Sequence, residues 1–409
     1  MLLNYIWIGF FLIAVLAAIV QSIVSGNSDV FSQMAEALFA SANTGFEISI
    51  GLAGVLTLWQ GLLRVGEKSG LVGRIAKGTA PFFQVLFPSL PKGHPVMGTM
   101  VMNFSANLLG LDNAATPLGL QTMQELQSLN KTKDEASDAM IMFLCINASG
   151  LTLIPITIIM YRMQLGSAAP ADVFVPILLA TGGSALAAIL MVAAKQKINL
   201  LRSAFLLPIT LFLLLVAGIV WWAYRVDRDT LSHYSTLVSH IILVVLVSIF
   251  ILSGLLAKQN VYEDFIDGAK GGFKTAITII PYIIAILVAV GLFRASGAMD
   301  WMMQGISYTV GLMGLDTAWV DALPTMLMKP LSGSGARGLM IDTMTAFGPD
   351  SFVGRLVCLV QGSSDTTFYI LALYYGSVAI KRTRYTLGVS LLADLVGMIL
   401  AVFFCYLFY

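Results

Sequence analysis

Between residues 328 and 367 an apolar chain gathers Lys329, Ser332, Ser334, Arg337, Asp342, Gln361, Ser363, Ser364, Asp365, Thr366 and Thr367. The stretch is rich in glycine and also carries Pro330 and Pro349. These residue types can bind a polar or charged solute. Lys329 and Arg337 can hold an anion, arginine through two parallel N–H donors. Asp365 can bind a cation, carry a proton or orient a substrate, since an acid at membrane depth is expensive without such a role. The competing reading of Asp365 is a structural ion pair with Lys329 or Arg337. For the two cations it is snorkelling to the nearer interface. The hydroxyls and Gln361 can ligate a solute or bond neighbouring backbone between helices. Polar groups and helix breakers at membrane depth are tolerated only against protein or a water-filled cavity, so a binding site at mid-membrane is expected.

A second polar set lies earlier. Asn103, Asn107, Asp112 and Asn113 crowd one segment, and Asn147, Ser149 and Thr152 crowd another. Asp112 and Asn113 can equally turn the chain and cap a helix. Asp394, in the last apolar run, reads as a packing or interfacial polar group. Cys145, Cys358 and Cys405 sit in apolar runs without CxxC spacing, which points to buried thiols rather than metal or disulfide. There is no GxxxxGK[ST] loop, so ATP is not the energy source within this chain. Neither GxSxG nor HExxH occurs, the three histidines all precede Ser334, and Asp342 with Asp365 forms no aspartyl motif. An enzyme is therefore not expected, nor is a cofactor. The net charge of +1 without a basic patch gives no reason to expect a nucleic-acid partner.

The elements that must position these residues follow from hydropathy. The chain is 58% hydrophobic and 11% charged, against about 25% charged in soluble domains. A polytopic membrane protein results. The N-terminus lacks a basic region, so its apolar run reads as a first transmembrane helix. Taking about 20 apolar residues per crossing, spans are expected at 2–24 and 43–63, with an amphipathic surface helix at 27–42 and an interfacial piece at 68–79. A re-entrant hairpin at 94–128 turns around 110–113. A broken spanning helix follows at 135–163, interrupted at Asn147-Ala-Ser-Gly150 and Pro155, then spans at 171–194 and 203–224. The second half repeats the order: a span at 233–257, an amphipathic piece at 260–274, a span at 275–293, a less apolar stretch at 296–317, a hairpin at 318–347, a broken helix at 352–380 and a span at 385–408. Gly61-Leu-Leu-Arg64 matches Gly291-Leu-Phe-Arg294, and Gly70 falls near Gly297.

The expected fold is an all-α polytopic membrane protein of two inverted repeats, 1–200 and 233–409, with re-entrant hairpins and broken helices, joined by a linker transmembrane helix and loop at 201–232. With nine crossings and a cytoplasmic N-terminus, the cytoplasmic segments hold 16 of the 23 lysines and arginines. This satisfies the positive-inside rule and puts the C-terminus outside.

Residues 1–200 resemble spore maturation protein A through Asn103-Phe-Ser-Ala-Asn-Leu-Leu-Gly-Leu-Asp-Asn-Ala-Ala-Thr-Pro-Leu-Gly119. Residues 201–409 resemble spore maturation protein B through Lys329-Pro-Leu-Ser-Gly-Ser-Gly-Ala-Arg-Gly338 and Gln361-Gly-Ser-Ser-Asp-Thr-Thr-Phe368. Those families belong to a wider gate, or nucleoside-recognition, superfamily that includes concentrative nucleoside transporters. The resemblance implies a hairpin-containing inverted-repeat fold in a bacterial inner (cytoplasmic) membrane. Neither hairpin carries a glutamate near its tip as nucleoside carriers do; Glu125 lies only at a hairpin end. The expected function is secondary transport of a small polar, anionic or zwitterionic solute by alternating access, with Na⁺ or H⁺ as candidate coupling ions. The expected partners are that solute and the lipid bilayer, with a homo-oligomer left open because related carriers assemble. The alternative is a non-transporting membrane module, a sensor or assembly partner linked to spore or envelope physiology.

Overall fold

Apolar runs without an internal turn signal become long helices, and glycine, proline and hydroxyl clusters divide the rest. The computed structural model describes residues 2–26, 28–91, 94–109, 112–150 and 155–409. The first half contains α1 (Leu2–Ser25), α2 (Asp29–Lys68), α3 (Leu71–Leu86), α4 (Val96–Leu108), α5 (Asp112–Leu129), α6 (Asp138–Ala148), α7 (Ile156–Gln164) and α8 (Phe174–Gln196). The connecting helix is α9 (Ser203–Ala223). The second half contains α10 (Arg228–Leu256), α11 (Val261–Ala295), α12 (Ala298–Leu312), α13 (Leu323–Met328), α14 (Gly333–Phe347), α15 (Phe352–Ser363), α16 (Thr367–Ser377) and α17 (Thr386–Phe408). Among the described residues, 8 helical segments are long and apolar enough to cross a membrane, the pair α15–α16 counting as one. The remaining expected crossing, 135–163, is the pair α6–α7, whose joint at 151–154, including Thr152, lies outside the described residues.

Two expectations are corrected. The surface helix at 27–42 and the span at 43–63 are one continuous helix, α2, of 40 residues. The pieces at 260–274 and 275–293 are likewise one helix, α11, of 35 residues. Helix α2 runs through Asn43 and Gly45, and α11 through Gly271, Gly272 and Pro281, unbroken. At 1.5 Å per residue such helices reach roughly 50–60 Å, longer than the apolar layer of about 30 Å. Their polar ends are therefore projecting turns of the same helix rather than separate elements.

Helices α2 and α11 pack antiparallel through small residues. A Cβ at Gly268 would lie 2.3 Å from the Gln60 carbonyl oxygen, and one at Gly272 would lie 2.4 Å from that of Leu56. Close backbone approach replaces the hydrophobic effect as the cohesive force between helices in lipid. At one end of the pair, Lys68 meets Asp264 at 2.6 Å and Arg64 meets Asp267 at 3.2 Å.

The two broken helices form the centre. Ala139 to Ala148 of α6 are all buried, as an evenly apolar helix must be inside a bundle. The pairs α6–α7 and α15–α16 run antiparallel and are tied at both ends. At one end Arg382 pairs with Asp134 (3.1 Å) and Glu135 (3.3 Å), and Arg384 pairs with Asp138 (2.7 Å). At the other, Arg162 has no exposed side-chain surface and pairs with Asp172 (2.8 Å) and Asp350 (2.9 Å), while Arg355 pairs with Asp172 (2.9 Å). The Arg162 guanidinium also donates to the carbonyls of Pro349 and Pro170, which satisfies a charge that would otherwise be costly to bury.

Two outcomes follow. Gly272→Leu forces its side chain into the α2 backbone and lowers stability by about 1–3 kcal/mol, whereas Gly218→Ala, with open space around it, leaves the detergent melting temperature unchanged. The turn residue Asp350 feels burial, which acts to raise its pKa. Hydrogen bonds from Ser167 and Ala168 and the charges of Arg162 and Arg355 win and hold the carboxyl below its usual range. A depressed acid stabilises the fold above its unfolded pKa of about 3.9 and ceases to do so as pH falls through its folded value. The melting temperature should therefore drop on acidification below about pH 4, with a shallower drop in Asp350→Asn.

Candidate functional site

The site lies where the broken helices cross. Helix α6 stops at Ala148, and Gly150 adopts φ +61°, a conformation that side chains resist. Helix α15 stops at Ser363. Ser364 is extended (φ −155°, ψ 178°), and α16 restarts after Thr366 (φ −85°, ψ 98°). Serine and threonine favour such interruptions because their hydroxyls compete for backbone groups. The Asp365 N–H donates to the Ala148 carbonyl at 2.9 Å. A Cβ on Gly150 would lie 2.5 Å from that same nitrogen, so the crossing is possible only with glycine.

The hairpins support the breaks from either side. In the first, Asn107 Nδ2 donates to Asn147 Oδ1 at 2.8 Å, and Asn147 Nδ2 donates to the Phe143 carbonyl at 2.9 Å. Asn103 Nδ2 donates to the Ala115 carbonyl at 2.7 Å and ties α4 to α5. Ser149 bonds back to the Ile146 carbonyl. The side chains of Asp112 and Asn113 lie outside the described residues. In the second hairpin, Ser332 caps α14 by accepting from the Gly335 N–H at 3.1 Å. Ser334 is exposed, with its hydroxyl 3.3 Å from that of Ser332. The Pro330 carbonyl accepts from the Phe368 N–H at 3.0 Å, which fastens the hairpin tip to the start of α16. Ser363 bonds back to the Val360 carbonyl.

A cavity of about 310 Å³ opens at this crossing. Its polar lining includes Lys329, Arg337, Gln361, Ser364, Asp365 and Thr366, with Gln60, Thr157, Tyr161 and Thr275 from α2, α7 and α11, and Gly150 and Gly333 bring backbone to its wall. Helices α2, α7 and α11 supply an apolar side that includes Leu52, Trp59 and Ile279. The structure thus brings Lys329, Arg337, Gln361, Ser364, Asp365 and Thr366 together at the cavity, while Ser332, Ser334 and Ser363 of the second half and Asn103, Asn107, Asn147 and Ser149 of the first are not in its lining. The charges are left available. Among the described residues, Lys329, Arg337 and Asp365 form no ion pair, although Lys329 is only 3% exposed. The geometry therefore differs from the structural pair weighed for Asp365, whose Oδ1 instead accepts from the next residue's N–H, that of Thr366, at 2.7 Å. Snorkelling does not describe Lys329 either, because it is buried and lines the cavity. The N-terminal ends of α14 and α16 add partial positive charge.

Sequence reasoning left Asp394 as a packing or interfacial group. It is 1% exposed, which favours packing, and its Oδ2 accepts from Thr367 Oγ1 at 2.7 Å. The signal was present, since it is an acid within an apolar span. Tyr161, whose hydroxyl faces Arg337, gave no such signal.

Comparison with known proteins gives the chain a family. The Gate family, described as nucleoside recognition, matches residues 1–164 and 276–381. The chain belongs to the Gate family. The matched segments contain Lys329, Arg337, Gln361, Ser364, Asp365 and Thr366 and leave out α9, α10 and Asp394. Among curated relatives, spore maturation protein A of Bacillus subtilis (strain 168) is 39% identical over 190 residues, covering 46% of this chain and 93% of that protein. Spore maturation protein B of the same organism is 39% identical over 158 residues, covering 39% of this chain and 87% of that protein. The inner membrane protein YjiG of Escherichia coli (strain K12) is 30% identical over 90 residues, covering 22% of this chain and 57% of that protein. No solved structure matches. With its long apolar helices and these relatives, the chain is a multi-pass inner-membrane protein of a family that is not enzymatic.

Gly150→Ala tests the crossing. It meets both an unfavourable φ, at about 1–2 kcal/mol, and the backbone of Asp365. Its melting temperature should fall well below that of Gly98→Ala, whose Cβ enters open space. Equal stability of the two variants would show that the helices do not meet as described.

Proposed function

We propose that the chain is a secondary transporter that carries a small polar solute with a negatively charged group by alternating access. The observation that carries this reading is the cavity of about 310 Å³ at the crossing of two discontinuous helices, with Lys329, Arg337 and Asp365 left unpaired among the described residues. Unpaired charge at membrane depth is costly, and a solute that completes the pairing recovers that cost. Arg337 supplies the directional contact to a carboxylate or similar anion, Lys329 supplies a second positive charge, and Asp365 orients a donor on the solute. Two cations against one acid favour an anionic or zwitterionic molecule. Membership of a nucleoside-recognition family keeps a nucleoside-like solute within this class when it bears an anionic group.

Alternating access draws on the repeated element order. The pairs α2 with α11, and α6–α7 with α15–α16, run antiparallel, which supports halves of inverted topology. The ion-pair clasps join segments that the charge distribution puts on one side of the membrane: Asp134, Glu135 and Asp138 with Arg382 and Arg384 at the cytoplasmic face, and Arg162 with Asp350 and Arg355 at the outer face. The lysine and arginine bias supports a cytoplasmic N-terminus and an outer C-terminus, and the clasps fit it by joining segments of one side. The clasps are the contacts that must loosen in turn as the site changes the side it faces.

A thermal-shift screen of the purified chain with anionic and zwitterionic metabolites tests the site. A ligand at a hundredfold excess over its Kd stabilises by about 2.7 kcal/mol. Arg337→Ala removes a charge-assisted bond of about 1.5–3 kcal/mol, so the shift should shrink or vanish there and in Asp365→Asn, with folding retained. Uptake of the same ligand into proteoliposomes should fall in parallel. Full shift and full uptake in both variants would sink the site assignment.

A further inference from the structure

Behind the cavity lies a second buried acid that the solute site does not use. Asp394 of α17 is not part of the cavity lining. One carboxylate oxygen, Oδ2, accepts from Thr367 Oγ1 at 2.7 Å. The other, Oδ1, is buried and has no hydrogen bond among the described residues. The Ser364 hydroxyl faces this carboxyl, is 5% exposed, and also lacks a hydrogen bond. A hydroxyl can donate to the ionised carboxylate or accept from a protonated one, so either state can pair these two atoms. What separates the states is the negative charge, buried with no ion pair among the described residues, and that cost needs relief.

One proton supplies it. A proton added to Asp394 Oδ1 turns that oxygen into a donor, and the Ser364 oxygen facing it is a free acceptor. Both atoms are then satisfied by a single O–H···O bond, and the acid no longer holds a buried negative charge. The charged groups facing Asp394 are Lys329 from the hairpin tip between α13 and α14, and Asp365 from the break between α15 and α16. Arg337 of α14 acts on Lys329 in turn. The other packed elements bring neutral groups. Ser184 of α8 donates to the Ala393 carbonyl at 2.9 Å, and the Cys145 thiol of α6 lies 3.6 Å from Ser390, one turn away.

We propose that Asp394 is a proton-binding site coupled through Lys329 to the solute cavity. The proton comes from water and adds to the carboxylate, and no other bond changes. Lys329 lines the cavity and is attracted by both Asp365 and Asp394. When Asp394 is ionised, Lys329 and Arg337 are balanced by the two carboxylates. When Asp394 is protonated, the cluster gains one net positive charge, which an anionic solute can match. Proton and solute then favour each other's binding, as linkage requires. This inference rests on the transport reading for its purpose, but the proton itself can be observed with no solute present.

The test is infrared difference spectroscopy of the full chain in lipid nanodiscs as pH is varied, read at the carbonyl stretch of a protonated carboxylic acid. The wild-type chain should show such a band titrating with pH, absent from Asp394→Asn and retained in Asp365→Asn. Ser364→Ala keeps the acid but removes its acceptor, and should move the band in frequency; this arm decides the matter if Asp394→Asn fails to fold. Lys329→Met should move the pH of the transition by about one unit, since a facing charge shifts an acid by that order. No titrating band assignable to Asp394, or a band indifferent to Ser364 and Lys329, overturns the proposal and leaves the solute site standing. A titrating Asp394 in a chain that moves no solute would instead refute transport alone.

Discussion

The Asp365 N–H donates to the Ala148 carbonyl at 2.9 Å, and Gly150 has no side chain to prevent it. That contact holds two interrupted helices at their interruptions. An uninterrupted helix satisfies its own backbone and offers a solute only side chains. A helix broken in the bilayer leaves N–H and carbonyl groups that need partners, and each helix here partly supplies the other. The remaining backbone capacity, together with Lys329, Arg337 and Asp365, faces the cavity.

The arrangement separates rigid from labile parts. At both ends the broken helices are held by charged side chains in direct pairs, with Arg162 wholly enclosed at one end and Arg382 and Arg384 partly exposed at the other. Pairs with high exposure contribute little to stability, while an enclosed pair is costly to break. The exposed clasp therefore costs less to break than the one enclosing Arg162. At the centre the charges are not paired with one another. A carrier needs this division, because a site that satisfies itself has no use for a solute.

Much of this was legible in the sequence. The hairpins and the breaks could be placed because glycine, proline and polar residues within apolar runs have few physical explanations in lipid. The continuity of α2 and α11 was not legible: the polar turns at their ends resemble separate surface helices, and only packing of one helix along the other reveals a single rod. Asn107 and Asn147, candidates of the first half, bond each other, and the first half lends the cavity Gly150 and apolar residues of α2 and α7. Sequence spacing cannot tell which of two equivalent faces meets the solvent-filled side. Asp394 was underrated for the same reason, since its value depends on Thr367 and Ser364 standing opposite.

The central claim is that the cavity at the crossing is reached from each side of the membrane in turn. Cys145, Cys358 and Cys405 are all buried and can be replaced to give a background in which Gln361→Cys, in the cavity lining, is the single thiol. Its reaction with a membrane-impermeant thiol reagent, applied separately to right-side-out and inside-out vesicles, is the most direct measurement. Alternating access predicts labelling from both sides, each slowed by a ligand that binds the cavity. Labelling from one side only, whatever the ligand, would contradict it.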